Sequence, residues 1–143
     1  MKQVISLVGG EKGAPILSER IAGVAGIVAG MLVAETAGTV VLNTTADALS
    51  QKLFAQTNLA VSGDIDLEYA NGETVSYGAY HAGQEVNAIV AAGAAAIADG
   101  APVTSAGDGT LKIGTVANAT GYAIEAVDNS GGASAVRLKI RVA

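Results

Sequence analysis

Short apolar runs separated by glycine, aspartate and asparagine constrain the fold of this chain most, and they are clearest between Ala96 and Val142. Runs of this length, closed every few residues by turn-forming side chains, are typical of closely spaced β-strands. The last run alternates strictly, with Val136, Leu138, Ile140 and Val142 on one face and Arg137, Lys139 and Arg141 on the other. A period of two over this run predicts a half-buried strand.

Two earlier segments are less regular. The alanines of Gln84 to Ala98 favour a helix, but its β-branched residues permit either state and glycines interrupt it. We predict a strand from Gln84 to Ala91, with a helix as the alternative. The runs on either side of Ala70-Asn71-Gly72 predict a hairpin with a three-residue loop, because that register pairs Leu67 with Val75 and keeps apolar side chains on one face.

The composition indicates one all-β domain with a thin core. The chain has 143 residues but only five aromatic ones, so alanine, valine and glycine supply most of the apolar surface. A thin core suits a small β-barrel of short strands. A net charge of −5 and scarce aromatic residues argue against a nucleic-acid partner. The absence of cysteine excludes disulfides and thiolate metal sites.

The most membrane-like segment, Ile21 to Ala34, is shorter than the roughly 20 residues that a spanning helix needs. We interpret it as a buried segment of a soluble protein and expect no membrane partner. The early glycines, Gly9 and Gly10, interrupt the first apolar run, so we expect no secretory signal peptide.

An internal similarity links two parts of the chain. Ile27 to Val33 and Ile97 to Val103 share the spacing of an apolar residue, a glycine and a valine, and each is followed by a loop and by a Gly-Thr-apolar triplet. The pattern predicts a strand, a glycine bend and a returning strand, and hence one barrel built from two similar halves. Chance similarity in a chain rich in alanine, glycine and valine is the alternative.

Residues 1–20 form no sustained pattern and are predicted to be an extended N-terminal arm, leaving 21–143 as the barrel domain. Two alternatives remain open for this arm: a strand on its own domain, or a segment lying on a neighbouring subunit.

No candidate catalytic group emerges from the sequence. Asp64, Asp66 and Glu68 alternate along one predicted strand, but their spacing fits no Ca²⁺ loop. His81, the one histidine, has no nucleophile beside it, and no phosphate-binding loop or GxSxG motif occurs. We therefore predict no enzyme activity, no cofactor and no metal.

Several segments together resemble the capsid decoration, or cement, proteins of tailed bacteriophages: Leu17 to Arg20, Ala29 to Val33, Tyr69 to Tyr77, Gly83 to Ala88, Ser105 to Leu111 and Ala123 to Asn129. The resemblance implies a small β-barrel, or β-tulip-like domain, on the exterior of the phage head. It implies a homotrimer, or another small cluster, that bridges major capsid subunits against the pressure of packaged DNA.

By this analogy the arm supplies the capsid or intersubunit contact, through Val4, Ile5, Leu7, Ile16, Leu17 and Arg20. Two alternatives remain. One is a barrel that binds a small ligand or polysaccharide through Tyr69, Tyr77 and Tyr80, and the other is a fibre or spike component of the virion.

Overall fold

The computed structural model describes residues 15–57 and 64–143, which form ten strands and one short 3₁₀ turn. The strands are β1 (Ile16–Ala22), β2 (Leu32–Thr36), β3 (Thr39–Leu42), β4 (Leu53–Ala55), β5 (Thr74–Ala79), β6 (Glu85–Val90), β7 (Pro102–Ser105), β8 (Leu111–Ile113), β9 (Gly121–Ala123) and β10 (Val136–Val142). The 3₁₀ turn, Val116–Asn118, lies between β8 and β9. The predicted all-β class is confirmed.

The strands form two closed five-stranded barrels of the same topology. The first has the order β1-β3-β2-β4-β5, and the second, read from β6, has the order β6-β8-β7-β9-β10. In each barrel the first and third strands are parallel, with Ala22 beside Val40 in one and Val90 beside Leu111 in the other. Strands β1 to β5 therefore correspond in order to β6 to β10.

The two similar halves that the sequence predicts are present, but each half closes a barrel of its own. This differs from the single shared barrel that we expected. The reason is that β1 pairs with both β3 and β5, and β10 pairs with both β6 and β9. In the described residues each half thus closes on itself, and no strand of one half pairs with a strand of the other.

The predicted strands at β6 and β10 are confirmed. In β10, Leu138, Ile140 and Val142 are buried while Lys139 and Arg141 are exposed, as the alternation requires. The segment that could have been helical forms β6 and pairs with β10 along its length.

The predicted hairpin is wrong in its pairing, although its turn is present. Gly72 has a φ of +88°, and the amide of Glu73 donates to the carbonyl of Ala70 at 3.1 Å. However, β5 pairs with β1 on one side and with β4 on the other. Ala55 of β4 therefore lies beside Tyr77, where the predicted hairpin would place Ile65, and Ile65 and Leu67 are exposed.

The two barrels approach each other at the level of the backbone. A Cβ placed on Gly30 would lie 2.1 Å from the carbonyl oxygen of Asn87, so glycine is required there by space as well as by its φ of +89°. The amide of Leu32 donates to the carbonyl of Gly109 at 2.8 Å. Leu32 and Phe54, from the first barrel, also belong to the hydrophobic core that the second barrel lines.

Arg137 fixes this contact from β10. Its guanidinium donates to the carbonyls of Ala29 and Ile65, both at 2.8 Å, and to the Asp66 carboxylate at 2.8 and 3.2 Å. The planar fork of arginine suits several fixed acceptors at once. The side chain is 22% exposed, and its bond to Ala29 is part-buried, so that bond is better shielded from water than a surface ion pair.

We predict that Gly30→Ala destabilises the protein more than Gly100→Ala. Both glycines occupy the third position of equivalent turns with similar φ, +89° and +80°, so each alanine costs about 1–2 kcal/mol in backbone strain. Only Gly30 also faces Asn87, whereas a Cβ on Gly100 meets open space, so Gly30→Ala should lose about 1–3 kcal/mol more. Urea unfolding checks this, and equal losses would refute the close barrel contact.

We predict that Arg137→Ala lowers the free energy of unfolding by about 1.5–3 kcal/mol, because the part-buried carbonyl of Ala29 loses a charged donor. The matched control is Arg141→Ala on the same strand, whose exposed pair with Glu85 is worth less than about 1 kcal/mol. Similar losses in the two variants would show that Arg137 does not fix the barrels together.

Candidate functional site

The predicted contact residues divide between the described residues and the rest of the chain. Val4, Ile5 and Leu7 lie outside the described residues. Ile16, Leu17 and Arg20 belong to β1, which pairs with β5 along its length. The described part of the predicted arm is therefore a strand on its own barrel, the first of the two alternatives, and the predicted boundary at residue 20 falls within β1.

The outward face of β1 is apolar and exposed. Leu17 and Ile21 point away from the barrel and keep 65% and 46% of their surface accessible. Glu19 lies between them and accepts a hydrogen bond from the Ser76 hydroxyl at 3.2 Å. Ile16, at the start of the strand, is 59% exposed. A barrel strand that presents this much apolar surface is a candidate for contact with another protein.

The inward face of β1 carries a polar cluster that the sequence did not reveal. Arg20 Nε donates to the Tyr77 hydroxyl at 3.1 Å, and that hydroxyl donates to Glu35 Oε1 at 2.5 Å. Arg20 Nη2 lies 3.6 Å from Glu35 Oε2, which closes the triangle. Burial raises the pKa of Tyr77, and its hydrogen bond to the Glu35 carboxylate raises it further.

The second barrel has no counterpart of this cluster. Its strand registers place Ala88, Ser105 and Ile140 at the positions equivalent to Arg20, Glu35 and Tyr77. In the sequence, Arg20 and Glu35 cannot be distinguished from charged residues that face solvent. Periodicity alone therefore could not have predicted the cluster.

A cavity of about 330 Å³ opens beside the cluster at the same end of the first barrel. Its wall includes Glu35, Tyr77, Tyr80 and Lys52, and the Lys52 ammonium donates to the carbonyl of Ala143 at 2.7 Å. The charged groups are thus bonded to other parts of the chain. Burial also raises the pKa of Tyr80, and a hydrogen bond from Gln56 opposes that shift.

The remaining candidates have structural roles. Asp66 binds Arg137, and no group of three metal-binding side chains occurs within residues 15–57 and 64–143. The backbone amide of His81 donates to the Gln84 side chain at 2.7 Å in the turn before β6. Across the same described ranges, no helix is long and apolar enough to cross a bilayer.

Comparison with known proteins identifies a shared fold but no family. No family model matches this sequence, and no curated protein is significantly similar to it. Among solved structures, the chain is similar to the head fiber gp8.5 N base of bacteriophage phi29, with a TM-score of 0.57 and 13% identity. The match covers 91% of this chain and 95% of that chain. The two chains share a fold.

We predict that the free energy of unfolding falls as the pH rises above about 10, where an unfolded tyrosine loses its proton. Burial raises the pKa of Tyr69, Tyr77 and Tyr80 in the folded protein, so the folded state keeps protons that the unfolded state releases. Tyr77→Phe should reduce this slope by up to about 1.4 kcal/mol per pH unit. Urea unfolding of both proteins between pH 9 and 11 measures this slope. An equal slope in wild type and Tyr77→Phe would show that Tyr77 does not contribute to the pH dependence.

Proposed function

We propose that this chain is a structural component of a phage virion that binds the outer surface of the assembled head. There it would cement neighbouring major capsid subunits against the pressure of the packaged DNA. The observation that supports this most is the fold shared with a phage head fiber base over nearly the whole of both chains. The resemblance of several sequence segments to head decoration proteins points to the same class.

A cement protein acts through binding energy alone, and the fold suits that task. Each barrel is closed, and the two are held by direct backbone contacts and by Arg137. A rigid unit loses little conformational entropy when it binds. We propose that it acts as a homotrimer, because several weak contacts that engage together multiply their effect.

The proposed attachment surface is the start of β1. Ile16 and Leu17 are exposed there, and Val4, Ile5 and Leu7 are expected to extend the contact. Arg20 is already bonded to Tyr77 and Glu35, so we centre the contact on the two apolar residues.

A fibre component is the second candidate, because the chain with the shared fold is described as a head fiber base. A fibre base would connect the head to a further, projecting structure. Binding of polysaccharide through the three tyrosines has less support, since Tyr69 and Tyr77 are each 1% exposed and cannot offer a stacking face.

We predict that the purified protein decorates bare, expanded heads and that Ile16→Ser/Leu17→Ser weakens this binding at least about tenfold. Burying one such side chain is worth about 1.5–3 kcal/mol, and about 1.4 kcal/mol corresponds to a factor of ten. The matched control is Leu49→Ser/Val116→Ser, which changes two exposed apolar residues elsewhere.

Co-sedimentation and electron microscopy of heads mixed with each protein measure the effect. Density that continues outward from the bound protein in virions would favour the fibre candidate. Failure of the wild type to bind any head surface would refute the proposal.

A further inference from the structure

The contact between the two barrels uses a different surface on each. The first barrel contributes its turn surface, which we define as Ala29, Gly30, Leu32, Leu42 and Asn43. The second contributes its strand surface, which we define as the contacting residues Asn87, Gly109 and Arg137 together with Ile89, the register neighbour of Arg137. Because the barrels have the same topology, the molecule contains each surface twice.

Within residues 15–57 and 64–143, one copy of each surface is covered and the other is free. The register places Ile21 of β1 at the position of Ile89 in β6, where they lie opposite Thr74 and Arg137 respectively. Ile89 is 5% exposed, whereas Ile21 is 46% exposed. The strand surface is therefore covered on the second barrel and open on the first.

Two glycine pairs show the same difference. A Cβ on Gly109 would lie 2.7 Å from the Leu42 side chain, but one on its counterpart Gly38 meets nothing within 4 Å. On the turn surface, Gly30 is packed against Asn87 while its counterpart Gly100 faces open space. Ile113, the counterpart of Leu42, is 47% exposed.

We propose that two copies of this chain associate head to tail, with the free turn surface of one copy on the free strand surface of the next. Asp99, Gly100, Ile113 and Gly114 of the second barrel would then lie against Glu19, Ile21, Gly38 and Thr74 of the neighbouring molecule's first barrel. The contact repeats between molecules the packing that already exists within one. The partner is a second copy, because the covered copy of each surface shows what fits it.

Four differences between the repeats make this contact weaker than the internal one. Thr74 stands where Arg137 makes its bonds, and Pro102 stands where Leu32 donates its amide to Gly109. Asp99 and Glu19 would also meet with the same charge. The association should therefore be modest and should strengthen with added salt, which screens exposed charges.

Sedimentation velocity on the full chain tests the proposal with two variants, Ile21→Glu and Ile113→Glu. Each removes one of the two surfaces, so each alone should associate at least about tenfold more weakly than the wild type, because a carboxylate would be buried without a partner. An equimolar mixture should form dimers, since each variant retains the surface that the other has lost. Leu49→Glu, on neither surface, is the control for an added charge on an exposed apolar residue.

Circular dichroism confirms that each variant is folded, and Ile21→Thr and Ile113→Thr replace any that is not. Wild-type protein that stays monomeric at all concentrations and salt levels would overturn the proposal. So would an Ile113→Glu variant that associates like the wild type, because the contact would then be symmetric through β1. Loss of self-association on removing residues 1–14, with both surfaces intact, would also overturn it. None of these outcomes depends on head binding, so the proposed function is tested separately.

Discussion

The close approach of two backbones, at Gly30 and Asn87, is the contact on which the rest of the molecule depends. A barrel of about 60 residues buries too small a fraction of its surface to be very stable alone. Here the barrels share apolar residues, since Leu32 and Phe54 from the first complete the core of the second. That sharing requires the barrels to touch without intervening side chains, which a glycine in a left-handed turn permits. Arg137 then donates to the part-buried carbonyl of Ala29 at this contact.

Closure of both barrels has a consequence for a protein proposed to crowd on a capsid surface. An open sheet edge offers unpaired amides and carbonyls to any neighbour and promotes aggregation. In the described part of the chain, each sheet returns on itself, which leaves fewer strand edges available for such pairing than an open sheet would. Association then relies more on side chains and turns, which are specific in shape and charge. A virion component present in many copies gains from that restriction, because its contacts are limited to chosen surfaces.

The parts of the fold that follow from local periodicity could be predicted from the sequence. The alternation of β10 appears in burial from Leu138 to Val142, and the repeated glycine turns correctly indicated two similar halves. The pairing of strands could not be predicted, because β5 has partners far along the chain on both sides. The local sequence indicates the turn at Gly72, but it does not reveal that β5 pairs with the distant strands β1 and β4. Likewise, Arg20 and Glu35 look like solvent-facing charges until closure of the barrel brings both to Tyr77.

A protein that packs one repeat on the next is prone to uncontrolled self-association, because its two free surfaces match each other. Such head-to-tail contacts either close into a ring or continue into an open polymer. The differences between the repeats reduce that hazard: a proline removes one amide donor, an arginine is replaced by threonine, and like charges face each other. Specificity of this kind comes from repulsive elements as much as from attractive ones. A contact too weak to persist in dilute solution becomes effective when a common surface holds several molecules side by side, because linkage raises their effective concentration. The same weakness that keeps the molecules apart in solution thus permits assembly where a scaffold gathers them.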